Sequence, residues 1–257
     1  MTHIWPVQLE RGRAPTSYGA GVVQRHLEVT QSAIPAEALA IERMSPTLDP
    51  LSLKFAIHLR SARLEGLDVG CGEGVATIAA LARGARVVAV DPDSSALSRL
   101  LAHVPSEQYR RLKVREALLQ DLDFKFARFS AVHASRVLHL LAPDDLQHTL
   151  GKFFRWLYPN GKLFISVFNP LGPFWRDLRV EYSRRMMLGE PWPGYIESLS
   201  AAMPELRGAT TGVHLLDESV LSRELKTAGF VVEDSSSYLL PWDTEQLCTG
   251  VVARCGS

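Results

Sequence analysis

The chain has 257 residues, of which 46% are apolar and 22% charged, a composition that excludes wholesale disorder and suits one well-packed domain with room for a cap. Acidic and basic residues number 28 each, so no global charge draws the chain onto nucleic acid or an anionic membrane surface. Cys71, Cys248 and Cys255 have no metal-ligand spacing and fit a reducing compartment, and no run is apolar enough to read as a secretory signal or a membrane span. The expected location is the cytoplasm, with no membrane partner and no metal.

Residues 1–31 have little periodicity, and Gly12, Pro15, Gly19 and Gly21 suggest an irregular arm. A short helix is expected over 35–44. Asp49-Pro50 reads as a helix cap followed by proline in the first turn. Leu51, Phe55 and Leu59 then recur four apart, an apolar helical stripe reaching about Ala62. A first strand occupies 67–69 and meets glycines at 70, 72 and 74. A helix over 74–83 stops at Gly84. The run 86-RVVAV-90 predicts a buried strand, 94–103 a helix, 111–114 a weakly signalled strand and 129-FSAVHA-134 another. A helix over 144–157, a Pro159-Asn160-Gly161 turn and the strand 162-KLFISVF-168 follow. Strand–helix alternation of this kind predicts an α/β fold with a doubly wound, mainly parallel sheet.

Residues 169–213 break that rhythm. They are rich in proline, glycine and large aromatics, and a structureless insertion of this length is unusual in a compact domain. Helices are expected over 174–188 and 195–203. Beyond it, Leu221, Leu225 and Ala228 line a helix ended by Gly229. A strand is expected at 230–233 and a second beside it at 236–240.

The glycines pose the functional question. Gly70 and Gly72 allow a tight strand-to-helix turn and close approach of a ligand to the backbone. A dinucleotide loop would place its third glycine one position later, where this chain has Val75. Acidic Asp68 before the turn favours a ligand with a cationic part, such as the amino and sulfonium groups of S-adenosylmethionine. Asp68-Val-Gly70-Cys-Gly72-Glu-Gly74, followed by Val-Asp91-Pro92-Asp93 and by Trp156-Leu-Tyr-Pro-Asn-Gly161-Lys-Leu163, resembles the class I, Rossmann-like methyltransferases that use S-adenosylmethionine. The resemblance covers 60–168 well and 215–240 loosely. It implies a seven-stranded sheet divided into an N-terminal arm and covering helices (1–62), a cofactor-binding core (63–168), a lid after the fifth strand (169–213) and the end of the same sheet (214–257). Two positions depart from the family pattern: Ser130 stands where relatives commonly carry aspartate after phenylalanine, and Glu116 where an aspartate follows the third strand.

Within that frame Asp91, ending the second strand beside Pro92, suits the ribose hydroxyls, with an Asp-Pro turn as its plainer role. Asp93 suits a helix cap. Asp68 either holds the loop or meets the methionine ammonium through water. Cys71 fills space beside the cofactor and is not a nucleophile. The resemblance gives Glu116 the adenine amine and Ala117 a backbone donor for the ring, and it places Ser135 and Arg136 at the methionine end. Candidate general bases are His139, His214 and Tyr18, where the plainer roles are packing or helix capping for His139 and a loop histidine with a backbone partner for His214, and Tyr18 in the arm can close over the cofactor. Phe168, Phe174, Trp175, Tyr182, Trp192 and Tyr195 can wall an apolar acceptor site or form the core of the lid.

The expected activity is methyl transfer to an oxygen or nitrogen of a small organic acceptor. A protein side chain as acceptor, or a non-catalytic module that keeps the cofactor fold, are the alternatives. No nucleic-acid partner is expected, and a homodimer stays open.

Overall fold

The computed structural model describes residues 48–203 and 212–256. The arm, the helix expected over 35–44 and Tyr18 lie outside the described residues. Helix α1 (Pro50–Leu59) begins where the sequence places it. The Asp49 carboxylate accepts the backbone N–H groups of Leu51 and Ser52 at 2.9 and 3.0 Å, and proline in the first turn forfeits no helical hydrogen bond.

Strands β1 (Glu65–Val69), β2 (Val87–Asp91), β3 (Leu112–Glu116), β4 (Phe129–Ser135) and β5 (Leu157–Phe168) are joined by β8 (Phe230–Leu240) and β9 (Asp243–Cys255) in one seven-stranded sheet, ordered β3-β2-β1-β4-β5-β9-β8. The first five run parallel, and β9 is antiparallel to both its neighbours. The strand order reverses between β1 and β4, and ligands of such sheets bind at the carboxyl ends of the strands flanking that switch.

Alternate residues feed two layers, as period-two strands require. Val87 and Ala89 pack with α1, α2 (Val75–Ala82) and α3 (Ser94–His103). Val88 and Val90 pack with α4 (Pro143–Trp156) and α7 (Glu218–Thr227). Both layers bury aliphatic and aromatic side chains, and that burial is the main stabilising term of the fold.

Three expectations change in the structure. The Pro159-Asn160-Gly161 turn lies inside β5 as a bulge: Leu157 pairs with Phe129 and Lys162 with Ala131. Asn160 takes a φ of 64° there, a conformation asparagine tolerates better than most residues. The segments 230–233 and 236–240 form the single strand β8, paired along its length with β9. The helix expected over 195–203 is replaced by β6 (Tyr195–Ile196) and the short α6 (Leu199–Ala202), with β6 pairing β7 (Val213–His214). Glycines explain this last change. A Cβ at Gly194 would stand 2.0 Å from the Leu215 carbonyl oxygen, and one at Gly212 would stand 2.2 Å from that of Ile196, so only glycine lets these backbones approach so closely. The first half of the insertion is helical as expected, with a 3-10 turn (Pro173–Leu178) leading into α5 (Arg179–Met187).

Candidate functional site

The glycine loop joins β1 to α2, and its three glycines have φ of 63°, 52° and 79°. They differ in what surrounds them. A Cβ at Gly70 would lie 2.1 Å from Val137 Cγ2, and at Gly74 2.2 Å from Leu100 Cδ1, whereas at Gly72 no atom of the described residues lies within 4 Å. Gly70 and Gly74 therefore admit neighbouring side chains of the protein itself. Gly72 alone presents bare backbone to open space, the property a cofactor cradle needs.

Asp91 ends β2 beside this opening. Its Oδ2 accepts the Gly72 N–H at 2.8 Å and its Oδ1 the Asp93 N–H at 2.9 Å. Burial pushes its carboxyl above the ordinary range against the opposing effect of those two bonds. Each oxygen retains a lone pair for a further donor. Pro92 is exposed, and Asp93 caps α3 through the Ser95 N–H at 2.8 Å.

Other sequence candidates are placed differently. Asp68 is 1% exposed and turned into the layer beneath α1 and α2. There it accepts the Thr77 hydroxyl at 2.6 Å and lies 2.7 Å from His133 Nδ1. Buried as it is, Asp68 has the geometry of its loop-holding role. Cys71 donates its N–H to the Val90 carbonyl. Burial, with Asp68 and Asp91 nearby, pushes its thiol well up, so it is a neutral filler. Glu116 is exposed at the end of β3, in register with Asp91. The Ala117 N–H goes to the Asp91 carbonyl at 3.2 Å, so the donor expected for an adenine ring is already used.

Ser135 and Arg136 end β4. Arg136 holds a φ of 54°, rare for a residue with a side chain. Its N–H donates to the Ser166 carbonyl at 2.7 Å. Its guanidinium lies 3.4 Å from Asp49 Oδ2 and 5.4 Å from the Trp242 ring centroid. Asp49 Oδ2 also lies 3.4 Å from the Ser135 hydroxyl.

The chain then turns through Val137, which touches Gly70, to His139. That imidazole is 2% exposed, packs 4.6 Å from the Phe168 ring, and finds no partner for either nitrogen among the described residues. Burial drives its pKa to about 3. His214, on β7, places Nδ1 3.2 Å from the Leu141 carbonyl oxygen. A carbonyl only accepts, so Nδ1 carries the hydrogen and the free lone pair sits on Nε2. That Nε2 is buried with no partner among the described residues, and the ring centroid lies 5.1 Å from that of Trp192 and 5.4 Å from that of Tyr195. Burial takes its pKa to about 4. Neither histidine is therefore the near-neutral base the sequence suggested, because burial disfavours the charged imidazolium.

Among the insertion aromatics, Phe168, Trp175 and Tyr182 are buried, and Phe174, Trp192 and Tyr195 are half-buried. The Trp175 indole N–H has no partner among the described residues, and the Tyr182 hydroxyl donates to Asp217, the cap of α7. Sequence reasoning missed His133 and the reach of Asp49. The available signal was register: Asp68 and His133 sit opposite one another on adjacent strands, two titratable residues at positions the pattern reserves for the core.

A Rossmann-like sheet with this strand order and an open glycine loop at its switch point defines the class I methyltransferase fold. Residues 67–161 match the family model described as a methyltransferase domain. Over those residues the chain carries a methyltransferase domain, on a fold it shares with solved S-adenosylmethionine-dependent methyltransferases. It is 37% identical over 95 residues to an uncharacterized methyltransferase of Synechocystis sp., covering 37% of this chain and 42% of that one. It is 26% identical over 181 residues to a ubiquinone biosynthesis O-methyltransferase of Nitrobacter winogradskyi, covering 69% and 60%. In both cases the match spans less than two thirds of the relative's length. The fold is shared with the 1,6-didemethyltoxoflavin-N1-methyltransferase of Burkholderia thailandensis, solved with 1,6-didemethyltoxoflavin and S-adenosylhomocysteine, at a TM-score of 0.63 and 20% identity over 95% of this chain and 94% of that one. No helix among the described residues is long and apolar enough to cross a membrane.

Proposed function

We propose that this chain binds S-adenosylmethionine and transfers its methyl group to an oxygen or nitrogen of a small organic molecule. The observation that carries the reading is the bare backbone at Gly72, clamped by Asp91 and joined through Gly70, Val137 and His139 to unpartnered polar groups under the insertion. The relatives named for ubiquinone and toxoflavin chemistry support a small acceptor.

When bound, the cofactor supplies a methyl group activated by a sulfonium leaving group. Asp91 keeps lone pairs for the ribose hydroxyls, and Gly72 lets the ligand lie against backbone. Ser135 and Arg136 offer a hydroxyl and a cation at the methionine end. Trp175, Phe168 and the β6–β7 pair exclude water from the carboxyl edge. His214 Nε2, as a lone-pair acceptor, orients a hydroxyl or N–H of the acceptor. With a pKa near 4 it aligns the nucleophile more than it deprotonates it.

Calorimetry with S-adenosylhomocysteine and with a nicotinamide dinucleotide tests the cofactor, with binding expected for the first only. Asp91→Ala is expected to weaken S-adenosylhomocysteine by roughly 10–100-fold, the loss of a charge-assisted hydrogen bond. Gly72→Val should do worse, since it fills the opening and strains a left-handed position. Unchanged affinity in both folded variants contradicts the site. A methylation screen over small molecules tests turnover, and binding with no transfer to any acceptor favours a non-catalytic module. Once an acceptor is known, His214→Gln should raise KM with little change in the pH profile between pH 6 and 8.

A further inference from the structure

Five side chains form a continuous buried chain beneath the glycine loop: Thr77, Asp68, His133, Ser52 and Asp49. Thr77 Oγ1 donates to Asp68 Oδ2 at 2.6 Å, and His133 Nδ1 lies 2.7 Å from Asp68 Oδ1. Ser52 Oγ lies 3.1 Å from His133 Nε2 and 2.6 Å from Asp49 Oδ2. The His133 ring stacks on Phe55 of α1 with centroids 4.9 Å apart. Asp68 is the penultimate residue of β1 and Thr77 sits in the first turn of α2, so their bond brackets the glycine loop from both sides.

The hydrogens can be counted. Asp68 as a carboxylate only accepts, so His133 Nδ1 carries a hydrogen. Ser52 has one hydroxyl hydrogen. If it goes to Asp49, the Ser52 oxygen faces His133 Nε2 as an acceptor and Nε2 must also carry a hydrogen. If it goes to Nε2, two oxygens meet at 2.6 Å and Asp49 must carry the hydrogen instead. Either way the chain holds one proton more than a neutral imidazole and two carboxylates supply. Asp49 already accepts the N–H groups of Leu51 and Ser52 and faces the Arg136 guanidinium, the surroundings of an ionised carboxylate, which places the extra proton on the ring. Among the described residues, the other titratable groups facing the chain are Arg136 and the Tyr238 hydroxyl, 3.4 and 3.2 Å from the Asp49 carboxylate, the Cys248 thiol on the Asp49 side, and Cys71 and Asp91 on the loop side of Asp68.

We propose that His133 is a positioning residue for the cofactor site, holding a retained proton between two buried carboxylates so that Asp68 can lock both ends of the glycine loop and tie them to α1. The link to cofactor affinity rests on the reading of the loop as an S-adenosylmethionine site; the retained proton does not.

Nitrogen-15 correlation spectra of the uniformly labelled protein, with His133 assigned by its loss in His133→Gln, test the proton. Hydrogen-bearing shifts at both ring nitrogens at pH 7 are expected, and one bare nitrogen overturns the proposal. Calorimetry with S-adenosylhomocysteine tests the positioning. His133→Gln is expected to weaken binding about tenfold. His133→Asn, whose amide nitrogen can still donate to Asp68, is expected to recover most of that loss although it cannot reach Ser52. Equal affinity in wild type and both variants overturns the positioning role, as does equal loss in both. If the wild-type protein binds no S-adenosylhomocysteine, the cofactor reading has failed and the spectra alone decide the proton. Should His133→Gln not fold, the ring signals lost in His133→Asn give the assignment.

Discussion

Two buried polar groupings flank the glycine loop, and they are built on opposite terms. In the chain from Thr77 through His133 to Asp49, each side chain meets a partner within 3.1 Å. In the cluster of His139, His214 and Trp175, four of the five ring nitrogens are buried with no partner among the described residues, and only His214 Nδ1 is bonded. A buried polar group without a hydrogen bond costs free energy that a folded domain normally avoids. The first grouping is finished by the fold. In the second, the described residues leave those nitrogens unpaired.

The contrast can be broken most forcefully at Asp68. Asp68→Ala strips partners from both Thr77 and His133 inside the core, and about 3–5 kcal/mol of stability should be lost, as for other broken buried ion pairs. Urea unfolding of wild type and variant measures it. A loss below about 1 kcal/mol would mean that the chain is not the closed network its distances describe.

The second test uses pH. His139 takes up a proton near 6.5 when unfolded but only near 3 when folded. Between those values the unfolded state binds more protons, so stability is fully present above the unfolded pKa and is lost as pH falls below it. From pH 7 to 5 the loss assigned to this residue is about 2 kcal/mol. His139→Leu should flatten the stability profile over that range by the same amount, and an unchanged slope would show that the ring finds a compensating partner.

The smallest expected effect is at Trp175. Trp175→Phe removes an N–H that has no partner among the described residues, so stability should change by only about 0.5 kcal/mol. The same change should raise KM for the acceptor while leaving S-adenosylhomocysteine affinity intact. A loss of several kcal/mol would show the indole nitrogen to be satisfied after all, and the two groupings would no longer differ.

Much of this was written in local sequence. The Asp49-Pro50 cap, the helix over 94–103 and the glycine stops at Gly84 and Gly229 rest on contacts within a few residues, which periodicity and capping rules read directly. Asp91 and the loop were legible for the same reason. The β6–β7 pair was not, because it depends on Gly194 and Gly212 meeting carbonyls from a distant part of the chain. Strand β9 was missed because Gly250 and the polar run at its start dilute its pattern, while its pairing partners on β5 and β8 supply the order. The state of the histidines was hidden too: a residue type says that a group can titrate, but burial decides where. His139 and His214 read as bases in the sequence and as neutral rings in the fold.

Asp49 serves two structures at once. One oxygen caps the first turn of α1, and the other faces Ser52, Ser135 and Arg136 at the end of β4. Tyr238 of β8 donates to the same carboxylate and shares a hydrogen bond with Ser166 of β5. Unwinding the helix start therefore releases the strand ends in the same event. In native-state hydrogen exchange, the amides of α1 should open as one cooperative unit with those of residues 135–136, and a denaturant that frays this helix should disarm the carboxyl edge before it melts the sheet.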